Sequence, residues 1–181
     1  NIDINEIIKE MAHMLEVSIS KKHNIKYDLA ENLPSIEVDI NQIRQIIMNL
    51  ILNASEAIGD NSGVISITTE AGECDKDCFK KMYLDDELPK GLYNFIQVAD
   101  TGVGMDEETI KKIFDPFFTT KFTGRGLGMS AVLGIIRGHK GAINVESKPG
   151  KGTIFTVLLP PSGKESTTTK PDRQETAASW R

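Results

Sequence analysis

Two asparagines one helical turn apart, Asn49 and Asn53, stand upstream of three glycine clusters. In chain order the clusters are Asp100-Thr-Gly-Val-Gly104, Gly124-Arg-Gly-Leu-Gly128 and Gly150-Lys-Gly-Thr153. Glycine lets backbone approach a ligand closely and adopt positive φ. An asparagine offers a neutral oxygen to a hard cation such as Mg²⁺. Asp100 adds a carboxylate that can only accept hydrogen bonds. Together these residue types read as a site for a magnesium-bound nucleotide.

Other phosphate-binding patterns fail here. The second cluster follows a loop rather than a strand, and no βαβ unit surrounds it, so a dinucleotide fingerprint is excluded. Gly150-Lys151 and Gly163-Lys164 lack the glycine, separated by four residues from the Gly-Lys pair, that a Walker A loop requires.

The bulk composition narrows the class further. The chain has 181 residues, a net charge of −5 and 39% hydrophobic residues. That length suggests one domain, with enough apolar content for a core. No basic field points to nucleic acid. No apolar run approaches the roughly 20 residues of a membrane span. No leader is visible, and a start at Asn1 is expected of an excised piece. Cys74 and Cys78, in a charged stretch with no histidine nearby, make no zinc site and are expected to be reduced surface thiols.

The positioning elements follow from periodicity. Ile4, Ile7, Ile8, Met11 and Leu15 predict a helix over 3–18, capped by Asp3. Ile25, Tyr27 and Leu29 alternate with polar or small residues as a strand. The strongest helix starts at Asp39, where Asp39 and Gln42 resemble a capping box. Its apolar face holds Ile40, Ile43, Ile47, Leu50, Ile51, Ala54 and Ile58, and Asn49 and Asn53 share one face of it. Strands are expected from Val64 and over 93–99, separated by a long charged excursion at 72–91 to which no role is assigned. Helices are expected over 106–114 and 127–139, the second with Gly141 as its C′ residue. Residues 143–145 and 153–159 read as a closing hairpin. The order predicts an α+β fold, a two-layer sandwich with a mixed, mostly antiparallel sheet covered by about three helices. Residues 1–160 form the expected domain, and 161–181 an expected disordered tail.

At this point the chain resembles the catalytic, ATP-binding domain of two-component sensor histidine kinases. That domain shares the Bergerat (GHKL) fold with DNA gyrase B, Hsp90 and MutL. Asn49-Leu-Ile-Leu-Asn-Ala-Ser-Glu-Ala57 is like the N box, and Asp100 to Met105 is like the first glycine box. Phe114-Asp-Pro-Phe-Phe-Thr-Thr-Lys121 is like the F box, and Gly124 to Ser130 is like the second glycine box. Gly150-Lys-Gly-Thr-Ile-Phe155 is similar to the later glycine-threonine element. The match covers about residues 1–160.

The resemblance implies a role for each piece. Asn53 would ligate Mg²⁺, while Asn49 would hold phosphates or a metal-bound water. Asp100 would accept a hydrogen bond from the adenine amino group, with Gly102 and Gly104 beside the ring and Thr153 in support. Thr119, Thr120, Lys121, Phe122 and Thr123 would form a lid, with Lys121 and Arg125 on the β- and γ-phosphates. Gly124, Gly126, Leu127 and Gly128 would present backbone N–H groups to phosphate. Met105, Ile113 and Met129 read as pocket wall or core. Many histidine kinases carry a lysine and an aromatic residue after the N-box Asn-Ala. Here Glu56 and Ala57 stand there, as in kinases like the nitrogen-regulation sensor.

The implied activity is ATP-dependent phosphorylation of a histidine, with Asn49, Asn53 and Lys121 as catalytic residues. The family's hydrolysing members carry a glutamate where Asn49 stands, and Asn cannot take a proton at neutral pH. None of His13, His23 or His139 has the context of a phosphoacceptor. The acceptor is therefore expected on a helical dimerisation domain before Asn1. A response regulator or fused receiver domain, a cytoplasmic location and no direct membrane contact complete the expectation. A GHKL-type ATPase and a non-catalytic nucleotide-binding module are the alternatives.

Overall fold

The computed structural model of the chain describes residues 1–82, 88–115 and 128–162. Five strands form one sheet in the order β1-β2-β3-β5-β4. Strands β1 (His23–Leu29) and β2 (Gly63–Cys74) pair in parallel, because the helix α2 (Ile40–Ile58) crosses between them. Strands β3 (Gly91–Asp100), β4 (Ala142–Ser147) and β5 (Thr153–Leu159) add antiparallel ladders, and β4–β5 is the expected hairpin.

One sheet face carries Ile65, Ile67, Ile96, Val98, Phe155, Val157 and Val145, all buried. The helices α1 (Ile4–Ser18), α2 and α5 (Gly128–Gly138) lie over it and bury Ile8, Leu50, Ile51 and Val132 completely, and a short helix α4 (Glu107–Lys112) follows β3. The fold is the α+β sandwich that the periodicity predicts. Roughly 1.5–3 kcal/mol per fully buried aliphatic side chain makes this face the main source of stability.

Local chemistry sets the helix ends. Asp3 Oδ1 accepts from Asn5 N (2.9 Å), and Asp39 Oδ1 accepts from Asn41 N (2.9 Å) and Gln42 N (3.4 Å). Only half of the expected capping box forms. The Asp39 N–H donates to His139 Nε2 (3.2 Å) rather than to Gln42. His139 holds that acceptor toward Asp39 by donating Nδ1–H to the Ile135 carbonyl (2.9 Å), so the end of α5 is tied to the start of α2.

The left-handed residue after α5 is Lys140 (φ 58°), not Gly141. Lys140 N donates to Arg137 O and Gly141 N to Ile136 O, the two bonds of a Schellman cap. Gly141 is required for another reason: a Cβ there would run into the Leu158 carbonyl.

The charged excursion differs most from expectation. Strand β2 runs on to Cys74, pairing as far as Gly91, and a four-residue helix α3 (Lys76–Phe79) follows. Cys74 is 1% exposed and forms a disulfide with Cys78, so these are not reduced surface thiols. Strand pairing carries Cys74 into the fold, and one helical turn brings Cys78 beside it. The bridge lies with Phe79, Tyr93 and Leu158 on the sheet face away from the long helices. At the other expected boundary, Ser162 is buried and donates its N–H to the Ser35 carbonyl (2.8 Å) and its hydroxyl to Asn1 Oδ1 (3.0 Å). The rest of the expected tail lies outside the described residues.

Candidate functional site

Asp100 is the last residue of β3 and faces the helix layer at 8% exposure. Burial raises its carboxyl pKa, and the backbone N–H groups of Gly102 and Thr153 pull the other way. The Gly102 bond to Oδ1 is 2.8 Å. A buried carboxylate held by backbone donors keeps acceptor capacity for one more partner.

Glycines shape the wall beside it. A Cβ on Gly102 would come within 2.6 Å of the Ala57 carbonyl carbon, because Val103 N docks on the Ala57 carbonyl (3.0 Å) at the end of α2. Gly104 (φ +73°) and Gly152 (φ +83°) both need the left-handed region. A Cβ on either would strike a carbonyl oxygen, that of Lys148 or of Asp100.

The cross-strand register sets Thr153 directly opposite Asp100 on one side and Ser147 opposite Thr153 on the other. The Thr153 backbone supports Asp100, while its hydroxyl meets Ser147 Oγ (2.8 Å). Ser147 Oγ also accepts from Met105 N (2.8 Å) and donates to the Gly152 carbonyl (3.0 Å). The motif reading missed Ser147. The signal was available, since a hairpin turning at 148–152 must pair 147 with 153.

Asn49 and Asn53 are half-buried on α2, one turn apart. Asn49 Nδ2 donates to the Gly128 carbonyl (3.3 Å), which joins the N-box helix to the start of α5 and leaves the amide oxygen for a ligand. Its Cγ would lie 3.9 Å from a Cβ at Gly128. Met129 is 8% exposed and, like Ile113, packs in the main core, while Met105 borders it. Among the described residues no group of three or more His, Cys, Asp or Glu side chains could hold a metal. A pair of asparagine oxygens instead suits Mg²⁺, which keeps several waters and shares phosphates.

The structure thus brings Asp100, Gly102, Gly104, Met105 and Thr153 together at one end of the sheet, with Asn49, Gly128 and Met129 joined across α2 and α5. Thr119, Thr120, Lys121, Gly124, Arg125, Gly126 and Leu127 lie outside the described residues. Among the described residues no helix is long and apolar enough to cross a membrane.

Residues 38–163 match the family of histidine kinase-, DNA gyrase B- and HSP90-like ATPases. Sensor kinase CckA of Brucella abortus (strain 2308) is 35% identical over 88% of this chain and 17% of its own length. Sensor histidine kinase ZraS of Klebsiella oxytoca is 34% identical over 91% of this chain and 32% of its own. The chain therefore spans about a third or less of these relatives. The catalytic domain of histidine kinase ThkA is 32% identical, with a TM-score of 0.69 over 89% of this chain and 94% of that one. ThkA in complex with the response regulator TrrA also matches, at 30% identity and a TM-score of 0.64 over 88% of this chain and 40% of that one. The chain belongs to the histidine kinase-, DNA gyrase B- and HSP90-like ATPase family, as a catalytic ATP-binding domain of the sensor histidine kinase kind.

Proposed function

We propose that this chain binds Mg-ATP with its adenine on Asp100 and transfers the γ-phosphoryl group to a histidine on a separate helical domain. The observation that carries this reading is the buried Asp100 carboxylate, fixed by backbone donors between Gly102 and Gly152 and opposite Thr153. A carboxylate accepts from the adenine amine and repels the guanine carbonyl.

Asn53, with Asn49 one turn before it, supplies oxygens for Mg²⁺ and its waters. When bound, the ion neutralises phosphate charge and orients the γ-phosphoryl group. Asn49 gives one amide hydrogen to the Gly128 carbonyl, and its neutral amide is no base for water, so transfer to a protein acceptor is favoured over hydrolysis. The bond from the γ-phosphorus to the β–γ bridging oxygen breaks, a phosphorus–nitrogen bond forms on the acceptor imidazole, and ADP leaves. Lys121 and Arg125 are the cations proposed for the phosphates, in a lid that includes Thr119 and Thr120, with Gly124, Gly126 and Leu127 offering backbone N–H groups. By analogy with ThkA and its complex with TrrA, a response regulator is the proposed downstream acceptor. A cytoplasmic setting and a dimerisation domain preceding this chain belong to the same proposal.

The test supplies a histidine-bearing helical dimerisation domain in trans with γ-labelled ATP and Mg²⁺. Acid-labile label on that domain, lost with Asn53→Ala, is the expected result. Rapid release of inorganic phosphate with no labelled acceptor would overturn it in favour of an ATPase.

A further inference from the structure

Asp100, Thr153 and Ser147 form a row across three adjacent strands, on one sheet face. In this row Thr153 stands directly opposite two acceptors, the Asp100 carboxylate and Ser147 Oγ. Neighbours directly opposite in antiparallel strands stand about 4.5–5.5 Å apart at Cβ, so either bond can form. The structure selects Ser147, at 2.8 Å.

A serine hydroxyl has one hydrogen and two lone pairs. Ser147 gives its hydrogen to the Gly152 carbonyl and one lone pair to the Met105 N–H. Thr153 must therefore donate, and its hydrogen points away from Asp100. Among the described residues Asp100 then receives backbone donors alone, from Gly102 and Thr153.

We propose that Ser147 is a positioning residue for base specificity. By taking the Thr153 hydrogen it keeps Asp100 an open acceptor, so the site selects a purine that carries an amine at C6. Without Ser147 the Thr153 hydroxyl turns to Asp100 and competes with that amine. Facing a base with a carbonyl at C6, it can give that one hydrogen to the base instead. This inference rests on the adenine reading of Asp100 given above.

Titration calorimetry with a non-hydrolysable ATP analogue and its inosine counterpart tests it. Ser147→Ala should weaken the ATP analogue roughly 2- to 10-fold, the range of one hydrogen bond, and leave the inosine analogue unchanged or tighter. Adding Thr153→Val to Ser147→Ala should restore most of the discrimination, because no hydroxyl remains to turn. Ser147→Thr, which keeps the hydroxyl, should preserve it.

An unchanged ratio of the two affinities in Ser147→Ala would overturn the proposal, including the case where both ligands weaken together through a loosened loop. So would failure of the added Thr153→Val to restore the ratio. If Ser147→Ala does not fold, Ser147→Cys, of similar size with a weakly accepting sulfur, must narrow the ratio instead, and an unchanged ratio there overturns the proposal equally. If the native chain discriminates and Asp100→Ala abolishes binding while these variants behave as native, only the Ser147 inference falls. A native chain indifferent to the base would remove the adenine reading and this inference with it.

Discussion

Strands β2 and β3 run side by side for ten residue pairs and end in opposite chemistries. One end closes on Asp100, two left-handed glycines and a hydrogen-bonded serine-threonine pair. About 30 Å away, at roughly 3.4 Å per residue, the other end closes on Cys74, Gly91 and Tyr93, an apolar patch with a disulfide. The Asp100 end buries polar atoms and costs stability to do so. The Cys74 end buries apolar atoms and adds stability. Such a division is expected where one end of a sheet serves a ligand and the other serves the fold.

The polar end is most vulnerable at Gly152. Gly152→Ala forces a left-handed residue and drives a Cβ into the Asp100 carbonyl. A loss of about 3 kcal/mol or more is expected in denaturant unfolding, together with loss of nucleotide binding. A near-native unfolding midpoint would show that the turn can shift freely.

Reducing the Cys74–Cys78 disulfide should act on the fold alone. A bridge four residues apart closes a short loop, so its contribution lies below the roughly 3 kcal/mol expected for 15 residues. Unfolding with and without a dithiol reductant should show a drop of about 1–2 kcal/mol, with ATP-analogue affinity unchanged. A change in affinity would mean that the two ends of the strand pair are coupled.

The smallest effect concerns Asp100 itself. Its folded pKa is raised by burial above the unfolded value of 3.8, so the native state holds its proton more tightly. Stability from this group is therefore present below pH 3.8 and declines as pH rises through the raised folded value. At neutral pH Asp100→Asn should unfold at a slightly higher midpoint than the native chain. Binding should show the opposite trend, weakening as pH falls through the raised pKa. A lower midpoint for Asp100→Asn would contradict a carboxylate kept at the expense of the fold.

The two ends were not equally legible in the sequence. Helix α2 announces itself through its apolar repeat and its Asp39 cap, and the first glycine box through residues whose φ and close approach only glycine tolerates. Both are local signals. Cys74 and Cys78 looked exposed because their neighbours are charged, and α3 is too short to show a period. Their burial depends on β2 pairing with β3 as far as Gly91, a non-local fact. Lys140 holds the left-handed position expected of Gly141, while Gly141 is required by the Leu158 carbonyl, a contact distant in sequence. Ser147 was readable in principle from hairpin register, but motif spacing does not rank a residue by its cross-strand neighbour.

In the proposed function Asp100 anchors the nucleotide base. Calorimetric titration of a non-hydrolysable ATP analogue, with and without Mg²⁺, on the native chain and on Asp100→Ala tests it most directly. Saturable one-to-one binding that falls at least about tenfold in Asp100→Ala is the predicted result, given the roughly 1.5–3 kcal/mol of a hydrogen bond to a charged group. Equal affinity in the two proteins, or no binding by the folded native chain, would contradict it.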